Sequence, residues 1–423
     1  MCGGQFRNHI NIVIRKNIMG KLNRTYTDHE LKIIEEALDE VMTKYETNND
    51  YILERESDKK SFLYLFKGLF PKKRKCVIPE CKNRSVRNSH TIQKAHSLKV
   101  IAESNHIYSP IFNKKTGKLE MTRSGINQAS IFPGFCSKHE RIFHTFENSK
   151  DVDSEEAVQL QIFRTISREL VVKKSELAQL LAMKDHYLKF REKKILELFY
   201  AAASEKISNM AFPESITIDF EDKNLAAIND EIEKVSSDIS FFTSNFFEPL
   251  YRYIFFDGSS DDPLYIYKIE ASEKIPVTLA GRGAFHIEKD GIQHEIHAIL
   301  NILPLVDGTA FYIAVELKNR EFLNYYIAIF QQTGLPGLNL AETWVVRGSD
   351  HWFIQPSVWD ELEDDRKEQV LKDVLDVGHH IAEIYNYSIF NSLRRKILAT
   401  HEEARESADP EVRRQIDSEI GKL

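Results

Sequence analysis

Apolar residues recur at helical spacing early in the chain, after Thr27. Thr27 and Glu30 have the spacing of a capping box, and the apolar repeat then continues to about residue 46. The pattern predicts a helix whose apolar stripe contains Leu31, Ile34, Leu38, Val41 and Met42. Because the pattern begins only after Met19, we expect residues 1–18 to precede the natural start of the protein.

The longest helical pattern extends from about 154 to 210, where the sequence contains neither Gly nor Pro. It predicts one very long helix or two consecutive helices, which end before Pro213. Residues 216–220 (ITIDF) predict a brief extended turn, and 222–245 are again helical in pattern. We expect an antiparallel helical hairpin whose apolar stripe extends beyond one partner, and therefore a homo-oligomer.

The pattern changes near Pro249 to short segments rich in β-branched and aromatic residues. Asp-Gly turns at 257–258, 290–291 and 307–308 separate these segments, which predicts an antiparallel sheet. Residues 363–400 return to a helical pattern, and a charged helical tail follows.

These patterns predict an α+β protein in five parts. The parts are an N-terminal leader and helix (1–73), a small module that contains three of the four cysteines (74–150), a long helical hairpin (151–248), a C-terminal domain of antiparallel sheet with helices (249–400) and a charged tail (401–423).

Composition narrows the class of protein. The chain has 423 residues, of which 42% are hydrophobic, and a net charge of -7, so it can bury a core and is not a general nucleic-acid coat. Four cysteines do not make a disulfide framework in a chain of this length. The sequence lacks a secretory signal and an apolar run of the roughly 18 residues that a membrane span requires. We therefore expect a cytoplasmic protein that is not in the membrane.

Positive charge is concentrated between Lys67 and Lys99, a stretch that contains ten basic residues and one acidic residue, Glu80. Such a stretch predicts a surface that binds nucleic-acid phosphates, and the alternative is a solvated loop. The candidate phosphate-binding residues are Lys72, Lys73, Arg74, Lys75, Arg84, Arg87 and Lys94.

Three of the four cysteines lie in two short segments. Cys76-x4-Cys81 and Cys136-x2-His139 supply four thiolate and imidazole ligands, which is the set that a structural zinc ion prefers. In the alternative interpretation, Cys76 and Cys136 are simply small buried apolar residues.

A knuckle, a β-hairpin and a second knuckle that enters a helix are the plan of a treble-clef zinc fold, and with a His on a strand between the knuckles they resemble the zinc-containing HNH endonucleases. The resemblance implies a small treble-clef, HNH-like zinc module at 74–150. It also implies that Cys76, Cys81, Cys136 and His139 bind zinc and that His90 deprotonates the attacking water. In the alternative interpretation, His90 only forms a hydrogen bond within a small zinc core. The resemblance places Glu140 where the family has a His that binds a catalytic Mg²⁺ or Mn²⁺, with Asn127 or His144 as a further ligand. The sequence departs from the family at three points: the candidate Asn lies nine residues before Cys136, His139 replaces a Cys, and Glu140 replaces a His.

The resemblance implies metal-dependent cleavage of DNA or RNA. The stretches SHTIQKAHSLKVIAESNHIY and FPGFCSKHERIF also resemble bacterial proteins found among phage-defence genes. The alternative function is a non-catalytic, zinc-stabilised sensor or adaptor whose C-terminal sheet recognises a protein partner. A second nuclease signature, Asp307 with Glu316-x-Lys318, is similar to the metal site of restriction-type nucleases, and the alternative is an exposed strand end.

Overall fold

The computed structural model describes most of the chain beyond residue 74. The described residues are 12–13, 27, 29, 32–33, 36–37, 39–41, 43, 74–113, 116–144, 147, 154–206, 217–218, 223–256, 263–376, 379–400 and 409–423. They divide into two compact units, of which one comprises Met1–Leu69 with Lys173–Ile239 and the other Phe70–Val172 with Ser240–Leu423.

The first unit is largely helical. The described residues between His29 and Thr43 are helical, with Ile33, Ala37 and Val41 buried at a spacing of four. Of the predicted apolar stripe, only Val41 lies among the described residues, and it is buried. A two-stranded antiparallel ladder pairs β1 (Ile12–Val13) with β6 (Thr217–Ile218).

The predicted long helix is confirmed and spans Glu155–Lys206 without interruption. A second helix spans Lys223–Phe242. Apolar side chains of the two helices form one cluster, which contains Leu180, Met183, Tyr187, Ile228 and Val235. Lys173 and Asp238 add an ion pair at 3.5 Å between Nζ and Oδ2.

The second unit is built on a seven-stranded antiparallel sheet, which confirms the predicted C-terminal sheet. Its strands are β3 (His106–Asn113), β4 (Lys118–Gly125), β7 (Leu264–Ala271), β8 (Val277–Lys289), β9 (Ile292–Pro304), β10 (Thr309–Glu316) and β11 (Trp352–Ile354). Across the sheet they lie in the order β4-β3-β11-β8-β9-β10-β7.

The sheet has a hydrophobic core on each face. Along β10, Phe311 and Ile313 belong to one core and Ala310 and Tyr312 to the other, as the two-residue period of a strand requires. The first core is covered by C-terminal helices: Arg320–Gln331, Pro336–Arg347, Pro356–Asp360, Asp364–Val374, Asn391–Ala399 and Pro410–Ile420. The second core contains the start of the long helix, the segment Thr243–Phe255 and the cysteine segments.

One predicted turn can be verified in detail. Asp290 and Gly291 connect β8 to β9 and have φ angles of 55° and 74°. Two consecutive residues with positive φ form the type I′ turn that matches the twist of a two-residue hairpin, and Asp-Gly is a favoured sequence for it.

The short strand β11 joins two parts of the sequence. It pairs with β8 through Trp352–Ile354 and with β3 at Tyr108. Glu103 strengthens this junction, because its carboxylate accepts hydrogen bonds from Gln355 Nε2 at 2.7 Å and from the Ser357 backbone N–H at 3.0 Å. The sheet therefore contains strands from the predicted zinc module and from the predicted C-terminal domain.

Candidate metal centre and adjoining histidine site

The first cysteine segment folds as a tight knuckle. Lys75 and Arg84 form an antiparallel bridge at its base, and the Cys76 N–H donates to the Asn83 carbonyl at 2.9 Å. Glu80 occupies the tip with φ of 60°. The turn thereby brings Cys76 and Cys81 to the same side of the knuckle.

The second segment follows β5 (Ile131–Phe132) and enters a helix at Ser137–Glu140. Cys136 is the last residue before this helix, so the first helical turn places His139 beside it. The Val77 N–H donates to the Gly134 carbonyl at 2.8 Å, which ties the two segments together.

Four ligand atoms converge between the segments. Cys81 Sγ lies 3.9 Å from Cys136 Sγ, and His139 Nδ1 lies 3.3 Å from Cys76 Sγ and 3.5 Å from Cys136 Sγ. With zinc–ligand bonds of about 2.3 Å to sulfur and 2.0–2.1 Å to nitrogen, a tetrahedron separates two sulfurs by about 3.8 Å and sulfur from nitrogen by about 3.6 Å. The donor set and its spacing therefore fit one tetrahedral zinc ion.

The ligand atoms of these four side chains all lie within 4.8 Å of one another. Among the described residues, no other group of three or more His, Cys, Asp or Glu side chains is this close together. Cys76 and Cys136 are buried, whereas Cys81 and His139 are half-buried. Burial raises the pKa of the Cys76 thiol. Zinc binding must displace thiol protons, so we expect the affinity for zinc to fall as the pH falls.

His90 lies on a small antiparallel ladder next to this centre. It belongs to β2 (Ser89–His90), which pairs with β5 so that His90 lies opposite Ile131. His90 Nδ1 lies 3.0 Å from the Ala129 carbonyl oxygen, to which it can donate only as an N–H. That bond leaves Nε2 as the nitrogen with a free lone pair.

The surroundings of His90 keep its imidazole neutral. Burial is the largest cause of a lowered His90 pKa, and the charges of Arg164 and Lys94 lower it further. The bond to Ala129 and the charge of Glu147 act in the opposite direction. The ring is half-buried, so solvent can reach part of it, and at neutral pH it can accept a proton.

Glu140 has a different environment from the one that the HNH resemblance implies. Its Oε2 accepts a hydrogen bond from Ser89 Oγ at 2.6 Å, and its Oε1 lies 3.2 Å from Arg164 Nη2. Both carboxylate oxygens are thus engaged by the protein. Burial raises the pKa of Glu140, while Arg164 lowers it.

Arg164 is the residue of this site that the sequence patterns do not reveal. It projects from the long helix, is fully buried, and also pairs with Glu147 at 2.8 Å. Its guanidinium lies 4.1 Å from the centroid of the Phe143 ring. In sequence, Arg164 is only one of many polar residues of a long helix, and nothing local distinguishes it.

The other proposed catalytic residues are exposed. Asn127 lies in the turn 126–130, two residues before the Ala129 carbonyl that binds His90. His144 follows the helical turn Arg141–Phe143. The described contacts do not join either side chain to Glu140.

The candidate phosphate-binding residues differ in exposure. Lys75, Arg84, Arg87 and Lys94 are exposed, and Lys94 acts electrostatically on His90. Arg74 is half-buried and donates from Nη1 to the Val171 carbonyl at 3.1 Å, so it stabilises the fold. Lys72 and Lys73 lie outside the described residues.

The restriction-type arrangement is not formed. Asp307 precedes β10 and Glu316 is its last residue, so the eight residues of the strand separate them by more than about 20 Å. Lys318 Nζ pairs with Glu316 Oε1 at 2.9 Å.

Within the described part of the chain, no helix combines the length and apolar character that crossing a bilayer requires. Comparisons of the sequence with protein-family models and curated proteins, and of the structure with solved structures, found no match.

Proposed function

We propose that this protein is a zinc-stabilised nuclease, similar to the HNH endonucleases, in which His90 is the general base. The observation that carries the proposal is the environment of His90. Its Nδ1 is fixed by the Ala129 carbonyl, its pKa is lowered mainly by burial, and its strand β2 pairs with β5, which leads directly into the second knuckle.

In this proposal, each group of residues has a separate task. Zinc at Cys76, Cys81, Cys136 and His139 stabilises the two knuckles. The exposed side chains of Arg84, Arg87 and Lys94 bind phosphates of the nucleic-acid backbone. His90 Nε2 takes a proton from the water that attacks the phosphorus, while the P–O bond to the leaving sugar oxygen breaks and that oxygen takes a proton from solvent. A general base in this position contributes about 10²–10⁴-fold to the rate.

The HNH resemblance also implies Mg²⁺ or Mn²⁺ at Glu140, with Asn127 or His144. Glu140 does not fit that role in this conformation, because Ser89 and Arg164 engage its two oxygens. We therefore assign no step of the reaction to a metal at Glu140. Phage defence, a homo-oligomeric state and a cytoplasmic location stay predictions of the sequence.

The contacts of Glu140 with Ser89 and Arg164 favour a second candidate function. If Glu140 serves only to hold Arg164 and Ser89, the module is a zinc-stabilised binding unit without catalysis. The basic residues would then bind nucleic acid without cleaving it, or the C-terminal sheet would recognise a protein partner.

A nicking assay on supercoiled plasmid and on single-stranded RNA distinguishes the candidates. Wild type, His90→Ala and His106→Ala are compared with Mg²⁺, with Mn²⁺ and with a weak chelator that leaves bound zinc in place. His106 is a matched control, because it is also half-buried and its Nδ1 lies 2.7 Å from a backbone carbonyl, that of Ser104.

We expect His90→Ala to lose at least 100-fold in cleavage rate while nucleic-acid affinity and zinc content stay unchanged. His106→Ala should cleave like wild type. Wild-type protein that binds nucleic acid but cleaves neither substrate would refute the nuclease and favour the second candidate. Equal loss in both variants would also contradict the role of His90.

A further inference from the structure

Two histidines far apart in sequence contact each other beside strand β8. His286 lies on β8 and His380 lies 94 residues later, and His286 Nδ1 is 2.6 Å from His380 Nε2. The two rings are nearly perpendicular, at 85°. Both side chains are half-buried, and one of these two ring nitrogens donates a hydrogen bond to the other.

The backbone holds the pair in place. The Ile381 N–H donates to the Ala284 carbonyl at 3.2 Å, so the segment that carries His380 lies along the edge of β8. Ile381 is fully buried in the core on one face of the sheet. Phe285 and Ile287 of β8 belong to the same core, so His286 between them is directed to the other face of the sheet, where it contacts His380.

A carboxylate lies on the same face. Glu295 of β9 is directly opposite His286 in the β8–β9 register, and such residues have Cβ atoms about 4.5–5.5 Å apart. Glu295 forms no hydrogen bond or ion pair with the described residues. The charge of Glu383 also interacts with His380. Its Oε2, however, accepts a hydrogen bond from His379 Nδ1 at 2.6 Å and lies 3.0 Å from Arg347 Nη1, so Glu383 already has partners of its own.

We propose that His286, His380 and Glu295 form a second metal site, which binds zinc or a similar transition-metal cation. Two imidazole nitrogens already meet, and rotation of the Glu295 side chain supplies the third ligand. Two His and one carboxylate leave the fourth tetrahedral position for water.

The environment of His380 suits this role. Burial lowers the pKa of His380 and the neighbouring His286 lowers it further, while Glu383 and Glu295 raise it. A neutral imidazole is the form that binds metal. Coordination would widen the distance between the two nitrogens to about 3.3 Å, which small side-chain rotations allow. This site is independent of the proposed nuclease.

Titration of the full-length apoprotein with Co²⁺ tests the site. We expect two equivalents to bind, of which one gives the intense sulfur-to-cobalt absorption of a thiolate site and the other only the weak bands of nitrogen and oxygen ligands. The double variant His286→Ala/His380→Ala should retain the thiolate equivalent and lose the other. Glu295→Gln, which preserves the shape of the side chain, should weaken the second equivalent at least tenfold.

His294→Ala is the matched control. His294 lies on β9 next to Glu295, but its ring packs against Phe322 with the ring centroids 4.8 Å apart. The His294→Ala variant should therefore bind both equivalents of Co²⁺. A single equivalent in wild type overturns the proposal, as does a second equivalent that persists in the double variant. If the double variant does not fold, the affinity of the folded Glu295→Gln variant decides, because an unchanged second equivalent there also overturns it.

Discussion

Replacing Arg164 with Met removes the central cation of the candidate site. Arg164 is fully buried, whereas the side chains of its partners Glu140 and Glu147 are 18% and 29% exposed. Removing one partner of a buried ion pair costs about 3–5 kcal/mol, because the other charge stays buried without compensation. Solvent reaches both carboxylates and Glu140 keeps its hydrogen bond from Ser89, so we expect the free energy of unfolding to fall by about 3 kcal/mol.

Urea unfolding of zinc-loaded protein measures this loss. Tryptophan fluorescence reports the unfolding of the compact unit that contains Arg164, because all three tryptophans lie in that unit. Arg141→Met is the control, since Arg141 is exposed on the helical turn next to Glu140, and its replacement should change stability by less than about 0.5 kcal/mol.

A double-mutant cycle tests the reasoning itself. Glu140→Gln removes the charge that Arg164→Met leaves uncompensated, so the double variant should be more stable than the sum of the single losses implies. We expect an interaction energy of about 1–3 kcal/mol. Additivity within about 0.5 kcal/mol would refute the claim that Arg164 neutralises Glu140.

Three further predictions concern the same unit. Arg394→Met should cost about 3–5 kcal/mol in urea unfolding, because Arg394 is fully buried and pairs with buried Glu342, whereas the exposed Arg395→Met should cost less than about 0.5 kcal/mol. Burial, followed by the charge of Arg168, holds the pKa of His351 well below its ordinary value. The stability contributed by its neutral form is therefore complete above about pH 6.5 and is lost as the pH falls toward the lowered pKa. In thermal melts, the free energy of unfolding should change less between pH 7 and pH 5 in His351→Asn than in wild type. The two changes should differ by at most about 1.4 kcal/mol per pH unit. Arg84→Glu/Arg87→Glu should weaken nucleic-acid binding and reduce its salt dependence, and an unchanged salt slope in filter binding would contradict their proposed contacts.

The sequence predicts the parts of this fold that depend on local patterns. The absence of Gly and Pro between 154 and 210 predicts the long helix, and Asp290-Gly291 predicts a turn because both residues tolerate positive φ. The spacings Cys76-x4-Cys81 and Cys136-x2-His139 predict the two knuckles, since each is a local structure, and the ligand preference of zinc predicts that the four residues form one cluster.

The sequence does not predict features that depend on contacts between distant residues. Arg164 contacts Glu140, which is 24 residues away in sequence, and His286 contacts His380, which is 94 residues away. Neither pair has a spacing that could be recognised in the sequence. Likewise, Trp352–Ile354 is too short to be recognised as a strand from its pattern, yet it connects β3 to β8. For this reason the sequence divides the chain into a zinc module and a C-terminal domain, whereas the sheet contains strands from both.

Zinc coordination by Cys76, Cys81, Cys136 and His139 is the claim on which the interpretation of the site depends. X-ray absorption at the zinc edge tests it most directly, on the His286→Ala/His380→Ala variant, in which only the cysteine centre should bind zinc. We expect a shell of three sulfurs at about 2.3 Å and one nitrogen at about 2.0–2.1 Å. A shell of nitrogen and oxygen without sulfur, or a purified variant without zinc, would contradict it.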